Sequence, residues 1–149
     1  MKKGESLKKI LVSIFKRKGG EGEQTFLFDN LSTDNKDLIS NTLSEVGDNE
    51  YVVLVYLENV DNHFIITTDR IIEKKDGENL YFSYADLNLA STNMAAEYKL
   101  GTRSKKDFKV ITLKFNNTEY NLMVESDNPY WGLLNVLRYL AFNYPKSST

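Results

Sequence analysis

The sequence contains no cysteine, a single histidine and only two prolines. The lack of cysteine excludes disulfides, thiolate nucleophiles and cysteine-ligated metals. A histidine-based triad or zinc site needs partners that the sequence does not offer, so we expect His63 to be a surface or edge residue. We therefore predict a protein that is not an enzyme and that binds no metal and no cofactor.

The acidic residues show no spacing that defines a catalytic or metal-binding motif. They form neither an EF-hand loop nor a zinc-protease helix. Paired-acid hydrolysis can use two acids that lie far apart in the chain, but nothing in the sequence favours it. We interpret the acids of the first half as solvated surface. These acids are Asp29, Asp34, Asp37, Glu45, Asp48, Glu50, Glu58 and Asp61.

Long apolar stretches are missing as well. The apolar residues 10–12 and 14–15 are too few and too interrupted for a signal-peptide core. No segment approaches the roughly 20 apolar residues of a membrane span. The chain has 149 residues, of which 41% are hydrophobic and 27% charged, ordinary values for a globular domain. We expect a single domain in the cytoplasm.

Positive charge is concentrated at the N-terminus. The net charge of the whole chain is −2, which argues against a nucleic-acid coat, but residues 1–18 carry seven basic side chains and one acid. Apolar residues recur at helical spacing over residues 5–17 and predict an amphipathic helix. Its basic side chains are Lys8, Lys9, Lys16 and Arg17. This helix either lies on an anionic membrane or packs on the domain or on a second copy.

Glycines at residues 19–22 separate this helix from the rest. They lack the Gly-Lys-Ser/Thr ending of a phosphate loop and follow a helix rather than a strand, so we interpret them as a flexible linker. Residues 1–22 are then a helix plus linker, and residues 23–149 one domain.

Periodicity predicts the order of the remaining elements. We expect a helix over residues 34–46 that ends at Gly47, and a strand over residues 51–57 that is apolar on both faces. The sequence then predicts strands over 63–68, 70–74 and 80–84, a hairpin over 108–124 and a helix over 128–143. Residues 86–107 fit either a short helix or a loop.

Two surface sites are predicted in the second half. On the last helix, Trp131, Asn135, Arg138 and Phe142 form a stripe separate from the core-facing arc. Trp, Arg and Phe together are typical of a protein-binding hot spot, which would bind another protein or a second copy of this chain. The alternative is that the chain's own N-terminal helix or a loop covers them. A cluster of basic residues is a candidate anion-binding loop, or else a soluble loop. This cluster is Lys99, Arg103, Lys105 and Lys106.

Three segments carry a resemblance to a known family. Residues 64–72 place Thr67, Arg70, Ile71 and Ile72 in a Thr-x-x-Arg-apolar-apolar pattern, residues 82–87 read Phe-Ser-Tyr-Ala-Asp-Leu, and a final hairpin runs into the last helix. Over roughly residues 45–143 the chain resembles the bacterial pleckstrin-homology-like (PH-like) domains.

The resemblance implies an α+β fold with a strongly bent, seven-stranded antiparallel barrel that the last helix caps. The N-terminal helical extension departs from a minimal domain of this family. It implies binding rather than catalysis. Related eukaryotic domains bind phosphoinositides through basic residues in the first strand–strand loop, whereas here the corresponding residues 58–62 are acidic. The alternative fold is the acidic, dimeric α+β layer of secretion chaperones, which requires a helix rather than a strand over residues 86–98.

Overall fold

A computed structural model describes residues 3–147, and Lys2 of the basic segment lies outside them. The helices are α1 (Lys3–Lys18), α2 (Thr33–Leu38), α3 (Ser40–Leu43), α4 (Met94–Lys99) and α5 (Asn128–Asn143). The strands are β1 (Thr25–Leu27), β2 (Val52–Asn59), β3 (Asn62–Thr67), β4 (Arg70–Lys75), β5 (Glu78–Ser83), β6 (Leu89–Thr92), β7 (Val110–Lys114) and β8 (Glu119–Met123). Helices and two antiparallel sheets confirm the α+β class.

One compact unit comprises the chain up to Ser13 together with Glu23–Ser83. Its five strands lie in the order β1-β2-β3-β4-β5, each antiparallel to its neighbour. The interior strand β2 is buried along most of its length, as its two apolar faces predicted. The β4–β5 turn places Asp76 and Gly77 at φ 51° and 82°, the left-handed conformation that an Asp-Gly hairpin favours.

The segment between β1 and β2 departs from the predicted helix over residues 34–46. Ser32 caps α2 by accepting a hydrogen bond from the amide of Asn35. The helix breaks at Ile39, which has φ −109° and ψ 22° and is buried in the core beside β2. Gly47 does not adopt a positive φ, so its predicted role as the residue that ends the helix is wrong.

A second compact unit comprises Ile14–Gly22 and the chain from Tyr84 onward. Its sheet has the order β6-β7-β8, and α5 packs on β6. The helical arc predicted as core is fully buried at Tyr130, Leu133, Leu134, Leu137 and Leu140. The predicted helix over residues 128–143 and the predicted hairpin before it are both confirmed.

Gly19 and Gly132 both lie at close contacts within this second unit. A Cβ atom on Gly19 would clash with the carbonyl oxygen of Asn128, and one on Gly132 would lie 2.6 Å from Cδ1 of Phe15. Such distances are far below van der Waals contact, so a side chain at either position forces its neighbours to shift. The interpretation of residues 19–22 as a flexible linker is therefore wrong at Gly19.

Residues 86–98 contain both elements that were to distinguish the two folds. A four-residue strand, β6, pairs with β7, and a six-residue helix, α4, follows it directly. Asn93 lies between them and caps α4 by accepting a hydrogen bond from the amide of Ala96.

Candidate interaction surface

The predicted stripe on α5 divides into a packed half and an exposed half. Trp131 is partly buried, with its ring centroid 6.0 Å from that of Phe108 and 5.0 Å from that of Tyr130. The Nδ2 of Asn135 donates to the carbonyl of Trp131 at 2.7 Å, within the same helix. Trp131 and Asn135 are thus engaged with their own chain.

The C-terminal half of the stripe faces solvent. Phe142 is 88% exposed, and Arg138, one turn before it, is also exposed. The Nε of Arg138 donates to the carbonyl of Ala90 in β6, with an N···O distance of 3.4 Å. This bond places Arg138 beside β6. We call Arg138 and Phe142 together the α5 surface.

A buried tyrosine anchors the first turn of α5. The hydroxyl of Tyr130 donates to the carbonyl of Val110 at 2.8 Å, and its ring meets that of Phe108 edge to face. Burial, together with the nearby charge of Glu97, raises the pKa of Tyr130 well above its usual range. The hydroxyl therefore stays protonated as a donor at physiological pH.

The predicted anion-binding residues follow α4. Lys99 ends the helix, Arg103, Lys105 and Lys106 lie in the loop after it, and all four are exposed. The loop is held by Glu97, which is only 1% exposed. Its carboxylate accepts hydrogen bonds from the hydroxyl of Thr102 and from the amides of Lys109 and Val110 at 2.8–2.9 Å.

Helix α1 buries the side chains that a membrane would have to receive. Leu11 and Phe15 have no exposed surface and Ile14 is nearly buried. The ammonium of Lys8 pairs with Asp29 at 2.9 Å and lies over the ring of Phe28. Of the proposed membrane-binding residues, Lys9, Lys16 and Arg17 are exposed. Among the described residues, no helix has the length and apolar character needed to cross a bilayer.

The Thr-x-x-Arg segment organises a buried ion pair at the β3–β4 turn. The hydroxyl oxygen of Thr67 accepts hydrogen bonds from the amides of Asp69 and Arg70. The guanidinium of Arg70 donates from Nε and Nη2 to the carboxylate of Glu50, at 3.0 and 3.2 Å. The assignment of Glu50 to the solvated surface is therefore wrong, because this arginine stabilises its charge inside the fold.

Electrostatics around this pair favour the ionised state of the carboxyl. Burial alone would raise the pKa of Glu50. Hydrogen bonds from Arg70, Thr67 and the amide of Gly47 outweigh burial and leave the pKa below its ordinary value. The same pairing raises the pKa of Arg70. The arrangement serves to close the turn, since both carboxylate oxygens are bonded to neighbours in the fold.

The histidine is also buried, contrary to its expected surface position. His63 is 3% exposed, with Nδ1 3.1 Å from the carbonyl of Val60 and Nε2 2.8 Å from the hydroxyl of Thr42. Since a carbonyl only accepts, Nδ1 carries the proton and Nε2 accepts from Thr42. Burial lowers the pKa of His63, so the ring is neutral at physiological pH.

Within residues 3–147 no group of three or more histidine, aspartate or glutamate side chains is placed to hold a metal ion. Comparison with protein families, with curated proteins and with solved structures finds no match for this chain.

The sequence reasoning missed the exposed apolar residues of α4, which are Met94 and Tyr98, and Leu100 beyond it. Their only signal was the four-residue spacing of Met94 and Tyr98, which normally marks a buried face. The inward direction of Glu97, which turns that face outward, depends on tertiary hydrogen bonds that no local pattern encodes.

Proposed function

We propose that this chain is a non-catalytic, cytoplasmic interaction module of PH-like type that binds another protein through the α5 surface. The observation that carries the proposal is Phe142, an aromatic side chain left 88% exposed on the helix that forms the core. It shares a stripe with the exposed Arg138, and aromatic residues and arginine are the residues that dominate binding energy at protein interfaces.

The order of elements supports the PH-like assignment. Strands β2–β5 form an antiparallel meander, β6–β8 form another, and α5 follows directly. Seven antiparallel strands and a final helix are what the resemblance implies. Because one fold serves many functions, the binding proposal is argued from the α5 surface and not from the fold.

Trp131 is not among the binding residues that we propose, since it packs on Phe108 and Tyr130. The proposed binding residues are Arg138 and Phe142. The surface is small, so we expect an interface at the low end of the size range, of about 1,200 Å² or less, and a transient complex.

The test compares proteins that co-purify with the tagged full-length chain from its native cells. Phe142→Asp and Arg138→Glu place a negative charge on the stripe and are expected to lose a partner that the parent retains. The control variant Asn143→Asp places the same charge beside the stripe and is expected to retain that partner. Asn143 is exposed on the same helical turn and is bonded only within the helix, to the carbonyl of Tyr139. Equal recovery of partners with Phe142→Asp and the parent would refute the proposal.

A further inference from the structure

Helix α4 has its polar and apolar faces reversed. Glu97 points inward and is 1% exposed, whereas Met94 and Tyr98, four residues apart on the outward side of the helix, are 64% and 84% exposed. A surface helix ordinarily buries its apolar stripe and exposes its charges. Exposed apolar groups in a cluster mark a surface that another body covers.

The reversed orientation is fixed by the fold. The buried carboxylate of Glu97 receives the Thr102 hydroxyl and the amides of Lys109 and Val110, so it ties α4 to both ends of the following loop. Asn93 caps the first turn. Rotating the helix to hide Tyr98 would leave these buried donors without an acceptor, which costs more than exposing one apolar side chain.

The charged side chains from Tyr98 to Lys106 are all basic. Lys99, Arg103, Lys105 and Lys106 are exposed, and the next acidic residue along the chain is the exposed Asp107. Leu100 is about half exposed among them. Across residues 14–22 and 84–149 the chain carries eleven basic and seven acidic side chains. The positive charge of the loop after α4 therefore has the same sign as the net charge of these residues.

We propose that α4 and the loop after it bind an anionic lipid surface. Met94, Tyr98 and Leu100 enter the headgroup region, and the four basic side chains meet the lipid phosphates. Tyrosine favours this boundary because its ring is apolar and its hydroxyl is polar. A side chain that is 84% exposed protrudes instead of lining a groove, which suits a fluid bilayer that needs no shape complementarity. This proposal does not depend on the α5 surface.

The experiment is flotation of the full-length protein with vesicles of phosphatidylcholine alone, or with about one third phosphatidylglycerol. Binding is expected only to the anionic vesicles and is expected to weaken with added salt, since exposed charges are screened. Each basic residue near such a surface contributes about fivefold in partition. The pair Lys105→Glu and Lys106→Glu should therefore lower the partition coefficient at least about tenfold.

Two further variants distinguish binding through α4 from binding that depends only on the net charge of the protein. Tyr98→Ser keeps the net charge and is expected to lower partition about fivefold, because one large apolar contact is lost. The pair Lys16→Glu and Arg17→Glu makes the same charge change at the exposed end of α1, and we expect an effect of about twofold or less. Equal loss from both charge pairs, or no loss from Tyr98→Ser, would overturn the proposal.

A gain-of-signal readout covers the case in which a variant fails to fold. Tyr98→Trp places an indole on α4, and brominated lipid in the anionic vesicles should quench its emission while leaving the parent's Trp131 emission almost unchanged. Absence of binding by the parent protein to anionic vesicles, or absence of extra quenching in Tyr98→Trp, would also overturn the proposal.

Discussion

Glu50 shows how a single buried carboxylate organises one end of the five-stranded sheet. It receives the guanidinium of Arg70 and the amide of Gly47, and Arg70 in turn donates to the carbonyl of Glu45. A buried charge is tolerated only when it is paired and hydrogen-bonded. Removal of its charge should therefore destabilise the fold through the arginine left behind.

We predict that Glu50→Gln lowers the free energy of unfolding by about 2 kcal/mol at pH 7, less than for a fully buried pair because Arg70 is partly exposed. The pKa of Glu50 is lowered in the folded protein. The stabilisation is thus complete above the unfolded-state pKa of about 4.3 and is lost as the pH falls through the folded-state pKa. Urea unfolding of variant and parent at pH 7 and about pH 3 measures this difference.

The control is Glu58→Gln, which removes an exposed carboxylate at the end of β2. It should change the free energy of unfolding by less than about 0.5 kcal/mol at either pH. His63 titrates alike in all three proteins, so its own acid-side destabilisation cancels in the comparison. A Glu50→Gln deficit that stays constant down to pH 3 would contradict the ion-pair account.

At the level of single residues, the sequence did not predict which polar side chains are buried. Nothing local distinguishes Glu50 from the exposed Glu58, because its partner Arg70 lies twenty positions away. His63 was expected to be a surface or edge residue because the sequence offers it no catalytic or metal-binding partners, yet Thr42 and Val60 satisfy both ring nitrogens inside the fold. Such partners are specified by tertiary structure, which periodicity does not report.

At the scale of elements, α1 and α5 meet at a contact that requires glycine. The carbonyl of Phe15 lies 3.2 Å, and its ring 2.6 Å, from where a Cβ on Gly132 would be. Gly132 lies in the interior of α5, where glycine is intrinsically unfavourable by about 1 kcal/mol relative to alanine. Close approach of the two elements explains why glycine occurs there despite this cost.

We predict that Gly132→Ala lowers the free energy of unfolding by about 1–2 kcal/mol, since the overpacking cost exceeds the gain in helix propensity. Trimming the neighbour in the double variant Phe15→Leu with Gly132→Ala should recover part of the loss relative to the single changes. Gly47→Ala is the control, because its added Cβ would meet nothing closer than 3.8 Å. A stabilised Gly132→Ala protein would contradict the observed packing.

Element type was largely predictable because it follows local periodicity. The N-terminal helix, the apolar strand β2 and the last helix all lie where the pattern placed them. The prediction of one continuous helix over residues 34–46 was wrong, because the chain forms two short helices, α2 and α3, that are separated at Ile39. Ile39 reaches the core by leaving helical geometry, and that demand comes from the sheet beneath it.

At the scale of the whole molecule, charge is divided between segments. Residues 23–83 carry four basic and thirteen acidic side chains, in contrast to the basic excess of residues 14–22 and 84–149. Both proposed binding surfaces, the α5 surface and the exposed side of α4 with the loop after it, lie within residues 84–149, which carry a basic excess. The composition alone showed the N-terminal charge, but the exposure of Phe142 and Tyr98 required the packing of α5 and α4.

The central claim, that the α5 surface binds protein, is tested most directly by photo-crosslinking in the native cells. A benzophenone amino acid is placed at position 142, and in a control at Asn117, an exposed turn residue. We predict a protein adduct of defined mass from position 142 only, and its mass distinguishes a second copy from another partner. No adduct at position 142, or the same adducts from both positions, would contradict the account.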